Sequence, residues 1–384
     1  MYLKNLSQRL LLVSLLIFLP AMSAANDSLR TINKIIEDVK QEYSPDPRIS
    51  VYDVEPMVKE DSLILKGAIL SKATKEELLE KLAAIDTLII VDRIALLPHE
   101  SLGENTYGLI RLSTAQMRRN PGVSAELINQ SMMGAEVRVL RNKDDDVSSW
   151  WFLCQTEDDY LGWMMKSSLA MGNRDFIEDW RMKDKLIVIV NYAQVFEKKS
   201  DDSRVVSDVV RGNILAITDK SWKWYEVETP DGRKGFIRKK FVEKKEDHFE
   251  DRAVTENILN TAFQYLGAPY LWGGASIKGA DCSGFTQSVF KFNGILLPRD
   301  ANMQVNEGEE VPLTNNLSHL QPADLLFWGR NEDRITHVGI YIGDKRFIHS
   351  DGMVRINSFD PQHEEYNEYR TRTLRVARRI LTNN

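Results

Sequence analysis

The sequence predicts a multidomain protein with a small α/β unit at its N-terminus, two small β-barrels in the middle and a C-terminal domain that combines helices with strands. Three observations predict this organisation. Helix and strand patterns alternate over residues 26–98, short strand patterns with turns repeat over residues 99–245, and a helix pattern precedes strand patterns over residues 253–384. Alternating helices and strands favour an α/β unit, whereas closely spaced short strands favour barrels. A chain of 384 residues is long enough for several such domains.

Residues 1–25 have the features of a secretory signal peptide. Lys4 and Arg9 supply positive charge around the start of an apolar run, LLLVSLLIFLPAM, and the small residues Ser23 to Ala25 provide a cleavage site before Asn26. The run is too short for a membrane span, although a retained membrane anchor is the alternative. No later stretch is long and apolar enough to cross a bilayer. We therefore expect a secreted or periplasmic protein with no membrane span after signal removal.

Composition excludes one class of partner and separates the two cysteines. The net charge is -6, and no basic face is evident, so we expect no nucleic-acid partner. Cys154 lies in the aromatic strand pattern WWFLCQ and is predicted to be a buried, inert residue. Cys282 lies in the glycine-flanked turn GADCSGF, where we expect an exposed side chain. These different contexts argue against a disulfide between the two.

The N-terminal unit contains two helix patterns and two strand patterns after the signal. Their order is helix, strand, helix, strand, with the sequences SLRTINKIIEDVKQEY, SLILKGAIL, TKEELLEKLAAI and TLIIVDRIALL. The pattern ends near Pro98, and the unit carries no cluster of chemically reactive residues. We expect a spacer or an interaction module over residues 26–98.

The middle of the chain contains an internal duplication. WFLCQTEDDYLGWM and WYEVETPDGRKGFI align without a gap, so that Tyr160 in the first copy corresponds to Arg233 in the second. Each copy predicts a strand, an acidic turn and a second strand. This pattern resembles bacterial SH3-like domains, and the resemblance implies two SH3-like β-barrels, over residues 99–178 and 183–245, of the kind used for binding or as spacers. The charged stretch that follows, KKFVEKKEDHFEDR, predicts a solvated linker.

Cys282 is the first candidate catalytic residue. Phe285, Val289 and Phe292 recur at helical spacing after it, Asn293 and Gly294 form a helix stop, and Asp281 before it is a good N-cap. Cys282 is therefore predicted in the first turn of a helix, where free backbone N–H groups and the helix dipole stabilise a thiolate.

Two histidines are candidates for the base and its positioning partner. THVGIYIG and RFIHSD predict a β-hairpin centred on Asp344, which places His337 and His349 on the same face, diagonally opposed at roughly 7–8 Å between Cα atoms. His349 can then hold His337 in the tautomer that accepts a proton from a thiol. A zinc site formed by Cys282, His337 and His349 is the alternative, although no second cysteine or HExxH spacing supports it.

Residues 255–380 resemble the NlpC-type papain-like peptidase domain. The matching stretches are, in order, YLGAPYLWGG, GADCSGF, LPRDANMQ, LQPADLLFW, ITHVGIYIG and FIHSDG. The resemblance implies a papain-like α+β fold over residues 253–384, catalysis by Cys282, His337 and His349, and no cofactor or metal. It also implies cleavage of the bond between D-γ-glutamate and a diamino acid, diaminopimelate or lysine, in murein peptides. Asp324, in LQPADLLFW, is expected to end a turn before a strand and not to take part in chemistry.

Two SH3-like copies ahead of this domain resemble the murein-recycling dipeptidyl-peptidase members of that family. In those members the first barrel closes the cleft and captures the free amine of an N-terminal L-alanine. The substrate-contacting positions that match are Glu126, Tyr160, Tyr270, Asp281, Ser283 and Asp300. Ala301 is a departure, because the family often carries serine there. The alternatives are a murein-binding protein with a silent catalytic fold, which has no reason to hold an intact Cys-His-His set, and an amidase or acyltransferase with the same triad.

Overall fold

The computed structural model describes residues 29–85, 89–143, 148–314 and 316–381. The predicted signal peptide lies outside these ranges. The chain divides into two compact units after Glu100, and each is described by itself. Among the described residues, none of the helices has the length and apolar character that crossing a bilayer requires.

The N-terminal unit is a three-stranded sheet with helices. Its elements are α1 (residues 29–43), β1 (Tyr52–Lys59), β2 (Ser62–Ile69), α2 (Lys72–Ala83) and β3 (Ile89–Leu96). β1 pairs antiparallel with β2, and α2 crosses over so that β3 runs parallel to β2. Leu65 and Ile94 of the sheet pack with Leu78 of α2 in a buried core. Strand β1 was not predicted, because Pro56 interrupts its pattern; an edge strand tolerates proline.

The middle region folds into two antiparallel sheets with seven strands each among the described residues. The first contains β4 (Tyr107–Ile110), β5 (Thr114–Arg118), β6 (Leu127–Met132), β7 (Glu136–Asn142), β8 (Trp151–Gln155), β9 (Leu161–Met165) and β10 (Leu169–Gly172). After helix α3 (Arg174–Met182) come β11 (Lys185–Val188), β12 (Tyr192–Phe196), β13 (Val205–Val210), β14 (Ile214–Lys220), β15 (Trp224–Glu228), β16 (Lys234–Arg238) and β17 (Val242–Lys244).

Strand order confirms the predicted duplication. The first sheet runs β10-β4-β7-β8-β9-β5-β6, and the second has the equivalent order β17-β11-β14-β15-β16-β12-β13. The aligned acidic turns also match, since the hydroxyl of Thr156 donates to Asp158 at 2.6 Å and that of Thr229 donates to Asp231 at 2.6 Å. Closure into barrels is not confirmed, because in the described residues each ladder runs from one edge strand to another.

The predicted linker after the second sheet is wrong. Residues 239–252 include β17 and the short helix α4 (Lys245–Phe249). His248 in α4 is 2 % exposed, and its two ring nitrogens contact Glu243 and the carbonyl of Phe292, each at 2.9 Å. One buried ring therefore anchors a stretch whose composition suggested a solvated linker.

The C-terminal domain packs helices against a six-stranded antiparallel sheet. Its helices are α5 (Thr255–Phe263), α6 (Cys282–Phe292), α7 (Ala301–Gln304) and α8 (Glu368–Thr373). β18 (Ala275–Ser276) and β19 (Gly279–Ala280) form a small hairpin, and the main sheet has the order β20-β25-β21-β22-β23-β24. These strands are β20 (Glu309–Glu310), β21 (Leu325–Gly329), β22 (Ile335–Gly343), β23 (Arg346–Asp351), β24 (Met353–Ser358) and β25 (Leu374–Arg379).

Helix α6 is the central helix of this domain and lies against β22 and β23. Phe285, Val289 and Phe292 are all buried, as their spacing predicted. Phe285 and Val289 join Val338 and Ile348 of the sheet in one apolar cluster. This packing sets the first turn of α6 beside the middle of β22, where His337 lies.

Candidate active site

Cys282 is the first residue of α6, and Asp281 caps the helix, as predicted. The Asp281 carboxylate accepts a hydrogen bond from the Gly284 N–H at 2.7 Å. Gly284 is required there, because a Cβ atom would lie 1.9 Å from the carbonyl oxygen of Gly274. A small residue in the first turn therefore lets the helix start approach the preceding loop.

Cys282 is 8 % exposed, which is more buried than a glycine-flanked loop suggested. Burial raises its pKa to about 11, and the Asp281 charge acts in the same direction. The N–H groups of Val338 and Ser283 lower this pKa by less. The helix start therefore does not produce a thiolate by itself, contrary to expectation, and the thiol needs a base that accepts its proton.

The two histidines meet as the hairpin register predicted. Ile340 pairs with Ile348 and Tyr341 with Phe347, which places His337 and His349 diagonally on one face. Their Nε2 and Nδ1 atoms are 2.8 Å apart. Burial lowers the pKa of His337 well below its usual value, and the charges of Arg370 and His349 add to this effect. His337 is thus a neutral imidazole at neutral pH, next to Val338, whose N–H contacts the thiol.

Asn357 on β24 extends the hydrogen-bonded pair of His337 and His349 by one residue. Sequence reasoning missed this residue. Its Oδ1 lies 2.9 Å from His349 Nε2, and it also accepts a hydrogen bond from Asn367 Nδ2 at 3.0 Å. An amide oxygen only accepts, so His349 carries its proton on Nε2 and accepts at Nδ1. His337 then donates from Nε2, which leaves Nδ1 unprotonated. The tight turn at Asp351–Met353 is the sequence signal that could have found Asn357. In this hairpin His349 pairs with Arg355, so Asn357, two residues further along β24, lies on the same face as His349.

The zinc alternative requires lone pairs of both histidines to point at one ion. The two ring nitrogens instead face each other across a 2.8 Å hydrogen bond. In the described ranges no three His, Cys, Asp or Glu side chains converge in a way that could hold a metal ion.

A buried polar network supports the loop before Cys282. Arg299 is 1 % exposed and donates to both carboxylate oxygens of Asp281, to Ser283 Oγ at 3.0 Å and to Asn129 Oδ1 at 2.9 Å. Asn129 belongs to the first β-sheet, so the network joins that sheet to the C-terminal domain. Asp281 and Ser283 were predicted to contact substrate, but their polar atoms already have these protein partners.

Burial raises the pKa of the half-buried Tyr270 to about 12, with the Cys282 charge second, so its hydroxyl stays protonated close to the thiol.

The structure brings Glu126, Tyr160 and Asp300 into one cluster. Tyr160 is 4 % exposed and donates its hydroxyl to Asp300 at 3.1 Å. Glu126 accepts from Trp272 Nε1 at 2.8 Å, and Trp272 lies in the loop leading to Cys282. Arg119, also missed from sequence, forms an ion pair with Glu126, which raises the pKa of Arg119; Tyr160 and Asp300 act in the same direction. The first β-sheet thus presents a tyrosine and a carboxylate to the C-terminal domain.

The two copies of the repeat differ at this position. Tyr160 contacts Asp300 of the C-terminal domain, whereas its counterpart Arg233 donates to Asp231 in its own turn and to the carbonyl of Arg111. Only the first copy therefore uses this residue to reach the C-terminal domain.

Asp324 and Cys154 have structural roles, as predicted. Asp324 is 2 % exposed and pairs with Arg379 at 2.8 Å. Cys154 is fully buried in the first sheet, where burial raises its pKa, and both cysteines are free thiols.

Comparison with known proteins relates both the domain and the architecture to one group. Residues 267–376 match the model of the NlpC/P60 family. The chain is 27 % identical over 264 residues to dipeptidyl-peptidase 6 of Lysinibacillus sphaericus, covering 66 % of this chain and 92 % of the relative. It is 30 % identical over 233 residues to a gamma-D-glutamyl-L-lysine dipeptidyl-peptidase of Bacillus cereus, covering 59 % of this chain and 67 % of the relative. A crystal structure of an NlpC/P60 family protein from Bacillus cereus matches with a TM-score of 0.58 at 24 % identity, over 72 % of this chain and all of that one.

Proposed function

The chain belongs to the NlpC/P60 family of cysteine peptidases, and from that premise we propose that it hydrolyses the γ-D-glutamyl-diamino-acid bond of murein peptides. The observation that carries the proposal is the buried hydrogen-bonded chain from His337 through His349 to Asn357, adjoining a thiol at a helix start. The names of two relatives, dipeptidyl-peptidase 6 and gamma-D-glutamyl-L-lysine dipeptidyl-peptidase, support this substrate class.

In the proposed mechanism Cys282 is the nucleophile and His337 the general base. His337 Nδ1 takes the thiol proton while the sulfur attacks the γ-carbonyl carbon of D-glutamate. His349 and Asn357 hold the imidazole in the required tautomer. The backbone N–H of Cys282 and the protonated hydroxyl of Tyr270 are suitable donors to the oxyanion. His337 then protonates the leaving amine, the C–N bond breaks, and water hydrolyses the thioester.

We also propose that substrates carry a free N-terminal L-alanine. The acidic cluster of Glu126 and Asp300, with the hydroxyl of Tyr160, supplies partners for an ammonium group. The Glu126 carboxylate is already paired with Arg119, but both side chains are partly exposed, and exposed ion pairs are weak enough to exchange partners. An N-acylated alanine has no charge for this cluster and adds bulk, so a polar site should reject it strongly.

We further propose that the two seven-stranded sheets are SH3-like domains. We also propose that the protein acts outside the cytoplasm. The equivalent strand orders and the matched acidic turns support the first point. The apolar run and small residues of the first 25 residues support the second. N-terminal sequencing of the protein isolated from its host tests the latter, because a start at Asn26 is expected and a start at Met1 would contradict it.

Mass spectrometry of the products tests the proposed function. L-Ala-γ-D-Glu-diaminopimelate should yield L-Ala-γ-D-Glu and diaminopimelate with the native protein, and nothing with Cys282→Ser. The N-acetylated peptide should be cleaved with a kcat/KM lower by roughly 100-fold or more, as expected for a site whose polar groups lose their partner. Comparable kcat/KM values for the two peptides would contradict capture of the amine, and products from a different bond would contradict the reaction itself.

A further inference from the structure

Arg119 occupies a position beside the cleft that the proposed mechanism leaves unused. It lies at the end of the β5–β6 hairpin, where its N–H donates to the Glu126 carbonyl at 3.0 Å and its side chain forms an ion pair with the Glu126 carboxylate. The same carboxylate accepts from Trp272, in the loop that leads to Cys282. The Arg119 side chain is 59 % exposed, so it lies at a surface that a ligand can reach.

The duplicated sheet shows that hairpin geometry does not require arginine here. In the second copy the equivalent backbone bond runs from the Glu197 N–H to the Arg204 carbonyl at 2.8 Å. The charges are therefore reversed, with glutamate at the position of Arg119 and arginine at that of Glu126. Either order suits the hairpin, and in the first copy the pair contacts the loop before the nucleophile through Trp272.

Arg119 and Arg299 both interact with the charges of Tyr160 and Asp300. They differ in whether their guanidinium groups can still donate to a ligand. Every guanidinium nitrogen of Arg299 donates to a protein group, and the side chain is 1 % exposed. The Arg119 side chain, in contrast, is 59 % exposed and donates from Nε to Glu126. Arg119 is thus the cation of the cluster that can reach a ligand anion.

The proposed substrate carries a matching pair of charges. L-Ala-γ-D-Glu has an ammonium group at one end and, one amide bond away, the free α-carboxylate of D-glutamate. Glu126 and Arg119 present a carboxylate and a guanidinium in direct contact. A planar guanidinium donates to a carboxylate in a bidentate geometry that a carboxamide cannot reproduce.

We propose that Arg119 binds the α-carboxylate of the γ-linked D-glutamyl residue and thereby distinguishes substrates with a free carboxylate from those in which it is amidated. The inference rests on the proposed function for the identity of the ligand. When the dipeptide binds, the Glu126–Arg119 ion pair of the free enzyme opens. Glu126 then pairs with the ammonium group of the dipeptide, and Arg119 pairs with its α-carboxylate.

Calorimetric titration of the full-length Cys282→Ala variant tests this independently of turnover. The ligands are L-Ala-γ-D-Glu and the same dipeptide with an α-carboxamide. We expect the carboxylate form to bind roughly 10-fold or more tightly, the loss typical of one charge-assisted hydrogen bond. Adding Arg119→Gln should bring the two dissociation constants together, and Arg119→Lys should retain part of the difference. A preference unchanged by Arg119→Gln would overturn the inference.

Removing Arg119 also releases the Glu126 charge, which could repel the carboxylate by itself. The comparison is therefore repeated in a Glu126→Gln background. If Arg119→Gln still abolishes the carboxylate preference there, the guanidinium is responsible. If the preference in that background is insensitive to Arg119→Gln, the inference is overturned.

Arg204→Gln is the matched control, because Arg204 is an exposed arginine of the equivalent hairpin in the second copy. It should leave the preference intact, and an equal effect would overturn the inference in favour of overall charge. Cleavage of L-Ala-γ-D-Glu-diaminopimelate and of its α-carboxamide form separates a failure of this inference from a failure of the proposed reaction. Cleavage with no effect of Arg119 on the preference refutes only this inference. Absence of cleavage, with Arg119-dependent binding of the dipeptide, refutes only the proposed reaction.

Discussion

Cys282 experiences two opposing effects, and their balance sets its chemistry. The first turn of α6 and the Val338 N–H favour a thiolate, whereas burial and the Asp281 carboxylate disfavour it. Burial is the largest effect, so the thiol is protonated at neutral pH, with its pKa near 11. Neutral His337 beside it completes a thiol–imidazole pair that becomes reactive by proton transfer, not a standing ion pair.

Alkylation of the native protein measures this balance. Iodoacetamide should label Cys282 before Cys154, because Cys154 is fully buried. The labelling rate of Cys282 should keep rising as the pH increases from about 7 to about 10, since alkylation follows the thiolate fraction. Peptide mass spectrometry gives both rates, and Cys282→Ser should remove the faster one. A rate that is already constant above neutral pH would mean that the thiolate forms without help from the base.

The charge of Arg370 is expected to move the acidic limit of activity to lower pH. Its guanidinium lies 5.7 Å from the ring centroid of Trp328, which packs against His337 at 5.4 Å. The positive charge lowers the pKa of His337, second to burial, and protonation of His337 removes the proton acceptor. Arg370→Gln should therefore raise this pKa and move the acidic limb of kcat/KM to higher pH. Profiles from about pH 4 to about pH 8 test the shift, because an unperturbed imidazole titrates near 6.5.

The control for that measurement is Arg372→Gln, an exposed arginine on the same helix, α8. Its profile should coincide with that of the native protein. An acidic limb that stays in place or moves to lower pH in Arg370→Gln would refute the role of the Arg370 charge.

At the level of elements, three adjacent strands bring the catalytic chain together. β22 carries His337, β23 carries His349 and β24 carries Asn357, and the two hairpins place all three on one face. Gly339 lets β22 and β23 approach, since a Cβ atom there would lie 2.9 Å from the Cβ of His349. The order along the sheet suggests that each residue orients the previous one.

Alanine substitutions along the chain should have graded effects. His337→Ala should lose most activity, His349→Ala less, and Asn357→Ala roughly 10-fold in kcat, the value of one hydrogen bond. KM should change little, because these residues orient the base and do not hold the substrate. Steady-state kinetics of the three variants test the order, with the exposed Asn331→Ala as control. A larger loss from His349→Ala than from His337→Ala would exchange the two roles.

For the second compact unit as a whole, Arg299 is a buried charged link between the first β-sheet and the C-terminal domain. It joins Asn129 of β6 to Asp281 at the start of α6, and it is almost completely buried. Tyr160 and Asp300 make a second contact between the same two parts. Gln130 of β6 adds buried contacts to Ala275 and Ser276, so Arg299 is one of several polar links that set the relative placement of the cleft walls.

Replacing Arg299 should destabilise the protein strongly. Arg299→Met leaves the buried Asp281 carboxylate without its counterion, and breaking a buried pair in this way costs about 3–5 kcal/mol. Urea unfolding followed by tryptophan fluorescence measures the loss. Arg346→Met is the control, because the Arg346–Asp344 pair is exposed and worth about 1 kcal/mol or less. Similar unfolding midpoints for the two variants would show that Arg299 does not support the interface.

The sequence alone determined the duplication, the helix that begins at Cys282 and the face shared by His337 and His349. All three depend on local periodicity: a repeat aligned without gaps, apolar residues at helical spacing, and a short hairpin whose turn sets the register. These rules act over a few residues, so they could be applied without knowing the rest of the fold.

Only the tertiary structure decided the protonation state of the thiol, the role of Asn357, the burial of His248 and the pairing of Arg119 with Glu126. Each depends on groups brought together from distant parts of the chain. The pKa of Cys282, for example, reflects burial beneath several elements, which outweighs the local helix start that sequence reasoning could recognise. Desolvation is a property of the whole packed environment, and no local pattern records it.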